Sequence, residues 1–394
     1  MQRLIVWLKN LTLTLCTLIV LGLVLELCIR GFSSIPPRLL LRQADIGGAY
    51  VPSVDIELLG PESGQRIHFK TNRDGFRGKD LNHPKPDNTF RIAVLGDSQM
   101  AAVNTPEPLI FASQLENALQ NTFPAYGWQV MNYSVSGAST GQELNLYQKR
   151  IKSYQPDLVI AVYYNGNDFT DNSKQLSSNP RVYLSLEEDG TFTTHLPSVS
   201  SGLVNWVKQN SRFYQWQKLK VRALRKSAER MGWLNERLKL RGGLLAYIDP
   251  QQDTKLLDAW VLNDALIQAF HDSVTQDDAL FLFLSIPHSL EFDNDILDSV
   301  NTRMDKLGLS HRFNPAQIES RLRRTTREHD IPAIFLNDHF DQALGHGKIS
   351  NRNFHLTYLN GLGHINEAAH RLMAEIVSKR VTVTDQGKLT LKNF

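Results

Sequence analysis

Residues 90 to 99 read Phe90-Arg91-Ile92-Ala93-Val94-Leu95-Gly96-Asp97-Ser98-Gln99, an apolar, strand-like run that stops on Gly-Asp-Ser. A buried strand that ends on a glycine and a small hydroxyl residue delivers that hydroxyl to the edge of a sheet. At the carboxyl end of a parallel strand a ligand crevice is the usual occupant. Outward from this stretch the pattern alternates: helix from about Glu107 to Asn121, strand Gln129 to Asn132, helix from about Gly141 to Ser153, strand Leu158 to Tyr163. It resumes with a helix from about Leu256, the run Ala279 to Ile286, a helix from Pro315 to about His329, the strand Ala333 to Leu336 and a closing helix from about Asn366 to Lys379.

Strands separated by helices of this length imply right-handed crossovers and a parallel sheet covered on both faces. The expected architecture is an α/β, flavodoxin-like three-layer sandwich with a five-stranded parallel sheet, preceded by an N-terminal transmembrane helix. The expected division is a signal-anchor or transmembrane segment over 1–33, an extended linker with strand fragments over 34–88, the main α/β domain over 89–172 and 251–380, a basic aromatic insertion over 173–250, and a tail over 381–394.

The chain has 394 residues, 42% hydrophobic and 21% charged, with a formal net charge of +3, a balance that favours no class of partner. Cys16 and Cys28 both lie in or beside the N-terminal apolar run, so the rest of the chain contains no thiol and disulfides play no part in it. From Leu11 to Leu25 no charge interrupts that run. This is short of the ~20 residues a span needs, but Lys9 and Glu26 extend it by snorkelling. A cleaved signal peptide is the rival reading, and a buried soluble helix the third. No A-x-A-like site follows the run, and leucine precedes each cysteine where a lipoprotein signal needs a small residue, so an uncleaved anchor is the expectation. Arg3 and Lys9 on one side are matched by Arg30, Arg38 and Arg42 on the other, so loop charge gives no orientation.

Within the insertion, Arg181 to Pro197 carries two strand-like runs around Asp189-Gly190, a hairpin signal. Residues 203–241 are then rich in Lys and Arg against only Glu229 and Glu236, with Trp206, Phe213, Tyr214, Trp216 and Trp233 interleaved. Such a segment reads as a membrane-surface contact or as a solvated helical face with a packed aromatic side. Nucleic acid is not expected, because no binding motif accompanies the charge.

Three further stretches bear on function. Asn132-Tyr133-Ser134-Val135-Ser136-Gly137-Ala138 follows the second strand, Asn165-Gly166-Asn167-Asp168 the third, and Gly363-His364-Ile365-Asn366-Glu367-Ala368-Ala369-His370 opens the closing helix. With Gly96-Asp97-Ser98 these resemble the four signature blocks of the SGNH (GDSL-type) hydrolase superfamily, serine, glycine, asparagine and histidine in that chain order. The stretch Phe69 to Gly78 also looks like the Asn and Gly-Phe-Arg motif found upstream of the serine block in membrane-anchored members. Asp74-Gly75 is turn chemistry in its own right, so this motif is read as structural.

Serine hydroxyls need a base to become nucleophilic. The resemblance implies Ser98 as nucleophile and His364 as base, with an oxyanion hole from Ser98, Gly137 and Asn167. No H-E-x-x-H or comparable spacing occurs, so neither metal nor cofactor is expected. Two departures stand out. Asn165 occupies the glycine position of the third block, and the positions two and three before the base, where the family's aspartate stands, are Leu362 and Gly361, with uncharged Asn360 nearby. A Ser-His dyad is therefore expected, with a carboxylate drawn from elsewhere or inactivity as the alternatives.

The resemblance implies a membrane-anchored serine esterase with its body outside the cytoplasm. Its expected substrate is an acylated, by expectation acetylated, extracytoplasmic glycan or a related small ester. Transfer of the acyl group to a polysaccharide hydroxyl, and a catalytically silent binding or assembly protein, are the alternatives.

Overall fold

The computed structural model describes residues 2–32, 38–60, 64–177, 179–198, 202–230, 242–291, 297–298, 300–302, 305, 313–339 and 364–392. In chain order the elements are α1 (Gln2–Phe32), β1 (Leu40–Leu41), β2 (Ala49–Tyr50), β3 (Asp55–Leu59), β4 (Arg66–Lys70), β5 (Thr89–Leu95), α2 (Ser98–Ala101), α3 (Phe111–Thr122), β6 (Gly127–Asn132), α4 (Thr140–Lys149), β7 (Leu158–Tyr164) and α5 (Asp168–Asn172). There follow β8 (Tyr183–Leu186), β9 (Phe192–His195), α6 (Leu203–Asn210), α7 (Arg212–Arg230), α8 (Thr254–Gln276), β10 (Leu280–Ile286), α9 (Gln317–Glu328), β11 (Ala333–Phe335), α10 (Glu367–Arg380), β12 (Val381–Val383) and β13 (Leu389–Leu391). The chain divides into two compact units, Met1–Leu41 with Val199–Lys239, and Arg42–Ser198 with Leu240–Phe394.

In the larger unit five strands form one sheet in the order β11-β10-β7-β5-β6, every pair parallel. Central strands flanked by helices on both faces need no polar alternation, and β5, β7 and β10 are accordingly apolar runs buried along nearly their whole length. On one face Ile92, Val94, Ile160, Val162 and Leu284 join α3 and α10 in a single apolar core. The opposite face meets α8: the Tyr163 hydroxyl donates to Asn263 Oδ1 at 3.0 Å, and the Phe270 and Phe281 rings lie 5.3 Å apart. Order in the sheet reverses between β5 and β7, one leading out to β6 and the other to β10. Such a switch point opens a crevice at the carboxyl ends of those two strands.

The expected five-stranded, flavodoxin-like sheet is thus present, with element ends shifted. The first helix begins as a separate 3-10 turn at Glu107–Leu109 before α3, and Leu336 opens a helical turn after β11 instead of extending the strand. The tail is structured, since β12 and β13 pair as a hairpin. The Arg181–Pro197 stretch forms the β8–β9 hairpin. In the smaller unit α1 is 31 residues long, about 46 Å at 1.5 Å per residue, which exceeds the ~30 Å hydrocarbon thickness. It is apolar enough to cross a membrane, by length and composition.

Candidate active site

Ser98 follows β5 directly and opens α2, whose N-cap is Asp97. The Asp97 carboxylate accepts from the Gln99 backbone N–H at 2.8 Å and lies 3.4 Å from Ser98 Oγ. Gly96 is required by packing: a Cβ there would stand 2.9 Å from Met100 Cγ and 3.2 Å from Val162 Cβ. The helix lasts a single turn because Ala102 turns left-handed, with φ 47°. That strained turn is gripped by Arg77, which is fully buried. Its guanidinium donates to the carbonyls of Ala101 at 3.3 Å, Thr105 at 2.6 Å and Ala102, while its Nε meets Glu107 at 2.9 Å. The Gly-Phe-Arg motif is therefore structural in a particular sense: it fixes the far end of the nucleophile's helix.

The second block is laced to the first by backbone. Tyr133 N–H donates to Val94 O at 2.8 Å and Val135 N–H to Gly96 O at 3.1 Å, and the Asn132 amide donates to Met100 O at 2.7 Å. Gly137 sits exposed beyond this zipper with φ 78°, and a Cβ there would meet nothing within 4 Å among the described residues. Conformation, not crowding, calls for glycine here. The Tyr50 hydroxyl braces the loop at 2.9 Å from Ser136 Oγ.

Asn167 ends the β7 loop and caps α5. Its amide donates to Asp97 Oδ2 at 3.0 Å and to Asp171 Oδ2 at 3.3 Å, while its own Oδ1 is buried with no hydrogen-bond partner among the described residues. The asparagine and serine blocks are thus joined through one carboxylate. Asn165, the departure at the glycine position, is fully buried. Its amide donates to both Glu291 oxygens at 3.1 and 3.0 Å, and its Oδ1 accepts from Ser285 at 3.0 Å. Glu291 also accepts from the Tyr247 hydroxyl and the His288 N–H, both at 2.8 Å. Burial pushes its carboxyl up to about 8 despite these donors.

His364 is half-buried, and the next residue brings it to the site: Ile365 N–H donates to Gln99 Oε1 at 2.8 Å. Asn366 then caps α10 by accepting from Ala368 and Ala369. The electrostatics agree with this placing. Burial raises the Asp97 carboxyl, and the Gln99 N–H and the His364 charge oppose it. Beneath the site Glu143 and Asp168 are held well above the usual carboxylate range, first by burial and then by neighbouring acids including Asp97. His370 is no partner of the base: burial, with Arg77 and His364 adding to it, lowers its ring to about 3.

Of the sequence-predicted site residues, Ser98, Asn167 and the segment starting at His364 are linked by side-chain bonds through Asp97 and Gln99, and Gly137 stands on the adjoining loop. Gly363, Asn360, Gly361, Leu362 and Asp341 lie outside the described residues. Sequence reasoning passed over Asp97, Gln99 and Glu291. The first two were visible as neighbours of Ser98, whereas Glu291, on a turn after β10, carries no local signal.

The fold is the expected five-stranded parallel α/β sandwich, and side chains at its strand ends link the segments that carry the serine, asparagine and histidine blocks. No family model and no curated protein matches the chain. Among solved structures it is similar to a two-domain esterase active on acetylated mannans, at TM-score 0.37 and 13% identity, with 74% of this chain and 48% of that one covered. The chain therefore spans about half the length of that protein. It is similar also to a catalytic mutant of an acetylxylan esterase from Geobacillus stearothermophilus, at TM-score 0.38 and 11% identity, covering 73% and 91%. A third is a lipase/acylhydrolase from Enterococcus faecalis, at 0.36 and 12%, covering 77% and 100%.

Proposed function

We propose that the protein is a membrane-anchored serine esterase that removes acyl groups, acetyl first among them, from an extracytoplasmic glycan or a related small ester. One observation carries the reading. Segments that begin at Ser98, Asn167 and His364, far apart in the chain, are tied by side chains at the switch point of the sheet.

In this reading Ser98 Oγ attacks the acyl carbonyl while His364 takes the hydroxyl proton. The tetrahedral oxyanion is met by the Ser98 and Gly137 N–H groups and by the Asn167 amide, which turns from Asp97 toward the new charge. The ester C–O bond then breaks and the departing alcohol takes the proton from His364. Water repeats the sequence on the acyl-serine and releases the acid. The α1 helix anchors the chain.

A specific observation favours a second reading, a catalytically silent scaffold: the Asn167 amide already has two carboxylate acceptors. The test is the purified chain with a chromogenic acetyl ester, with and without sugar acceptors. Ser98-dependent release of acetate is the expected result. Acetylated sugar in the products indicates the transferase, and no turnover under any condition the scaffold.

A further inference from the structure

The Ser98 and Gly137 N–H groups lie on different loops, and one arm of the chain touches both. That arm runs from β2 through the β3–β4 hairpin to Arg77. At one end Arg77 grips the last turn of α2, behind Ser98. At the other, Tyr50 is buried with its hydroxyl against the turn that carries Gly137. The two ends are tied to each other. Tyr50 N–H donates to Gly75 O at 2.8 Å, and a Cβ on Gly75, whose φ is 80°, would collide with Tyr50 O. Phe69 is common to both ends, its ring 5.2 Å from the Tyr50 ring and 5.4 Å from the Arg77 guanidinium.

The turn needs an external hold. Ala138 N–H donates to Val135 O at 2.9 Å, which closes a four-residue turn with Ser136 and Gly137 at its centre. The central peptide of this turn carries the Gly137 N–H. A positive φ at the third position is the type II form, and glycine there leaves that peptide more than one orientation. Backbone bonding to the serine block ends at Val135. Beyond it, among the described residues, the hydrogen bonds that join this turn to another segment are the two to Tyr50. Ser136 N–H donates to the Tyr50 hydroxyl at 3.3 Å, and Ser136 Oγ lies 2.9 Å from it. Burial raises the Tyr50 phenol against the pull of these bonds, so it stays a hydroxyl that accepts from the N–H and has a proton left for Oγ.

We propose that Tyr50 is a positioning residue for the oxyanion site: through Ser136 it sets where the Gly137 N–H stands relative to the Ser98 N–H. This rests on the reading of the chain as a serine esterase. The arm over 49–77, which the sequence presents as part of a linker, is then a working part of the site.

Kinetics of the full chain on a chromogenic acetyl ester, with inhibition by phenylboronic acid, test it. The boron takes the Ser98 oxygen as its fourth ligand, and the tetrahedral anion presents an oxygen where the ester's oxyanion forms, so its affinity reports on the donors. Tyr50→Phe keeps the ring against Phe69 and removes the hydroxyl. It is expected to lower kcat about tenfold with KM within about twofold, and to weaken phenylboronic acid by a similar factor. Parental values of both overturn the proposal. So does a fall in kcat with phenylboronic acid affinity unchanged, which places the effect outside the oxyanion donors. Should Tyr50→Phe not fold, Ser136→Ala decides. It removes one of the two bonds and is expected to weaken phenylboronic acid about threefold or more, and undiminished affinity overturns the proposal. Ser98→Ala separates this reading from the one beneath it. Ester turnover that survives Ser98→Ala, or none in the parent, removes both together, whereas Ser98-dependent turnover indifferent to Tyr50→Phe removes the positioning role alone.

Discussion

The backbone N–H of Ile365 donates to the side-chain oxygen of Gln99 at 2.8 Å, so the residue after the candidate base is bound to the residue after the candidate nucleophile. Both partners are buried. A buried hydrogen bond of this kind sets a distance between two loops that share no strand pairing, and near-attack geometry is sensitive to that distance. Gln99→Ala is expected to lower kcat about tenfold or more with KM little changed, while Gln99→Glu, which keeps an acceptor, recovers most of the loss. Steady-state kinetics of the two variants on an acetyl ester check this; a kcat unchanged in Gln99→Ala would show that this bond does not set the geometry of the site.

Ser98→Ala should abolish turnover with the fold intact, because the hydroxyl sits at a strand end and not in the core. His364→Ala should cost at least about 10³-fold in kcat, whereas Asp338→Asn and Glu367→Gln stay within about tenfold of the parent. Asp338 is engaged elsewhere, bonded to Arg323 at 2.7 Å. A collapse of kcat in either carboxylate variant, with an unchanged circular dichroism spectrum, would reveal a triad acid and end the dyad reading.

Arg77 makes a sharper case for the upstream motif. Its planar fork reaches three carbonyls and one carboxylate around the left-handed turn at Ala102. Lysine keeps the charge but cannot span that set. Arg77→Lys is expected to destabilise by about 2–4 kcal/mol, since it leaves buried carbonyls unpaired, and to lower kcat more than it raises KM. Thermal melts and kinetics on the same preparation separate the two effects. A variant that melts lower yet turns over at the parental rate would show that the clamp serves stability alone.

Glu291 gives the pH prediction. Burial raises its carboxyl from 4.5 to about 8 in the folded protein. Between those values the folded state holds a proton that the unfolded chain has lost, so this group makes stability fall as pH rises from about 4.5 to 8, and adds no slope outside that window. The full effect is on the order of 5 kcal/mol. Asp97, Glu143 and Asp168 are raised too and act in the same direction. Glu291→Gln should therefore flatten the fall in Tm from acid to mildly alkaline pH without abolishing it. An identical pH profile for parent and variant would refute the buried, protonated state.

Legibility in the sequence followed periodicity. β5, β7 and β10 were readable because strands buried on both faces are continuous apolar runs, and their spacing by helices left a parallel sheet as the natural solution. Ser98 and Asn167 were readable because short blocks stand directly after those strands. The Asn165 departure was readable as a departure only: its reason is Glu291, more than a hundred residues on, and a partnership across such a separation leaves no local pattern. The same holds for Gln99 with Ile365 and for Tyr50 with Ser136. Each joins a side chain to a backbone or polar group whose neighbourhood only the fold creates.

Asn167 decides between the esterase and the silent scaffold, because its amide is shared between Asp97 and Asp171. If the amide serves the oxyanion, it must leave these acceptors as negative charge builds on the substrate, and its contribution is then realised in the transition state. Removing one such donor costs about 10²–10³-fold in kcat. Asn167→Ala is therefore expected to lower kcat by about 10²-fold with KM nearly unchanged. Asn167→Asp should be at least as damaging: it replaces the donor by a carboxylate beside Asp97 and Asp171, where a third like charge is disfavoured. The two variants, measured against Ser98→Ala, distinguish the roles. If Asn167→Ala changes KM alone, the amide binds the ground state. If it melts lower but keeps kcat, its bonds to Asp97 and Asp171 are structural, and the oxyanion role passes to the backbone donors at Ser98 and Gly137.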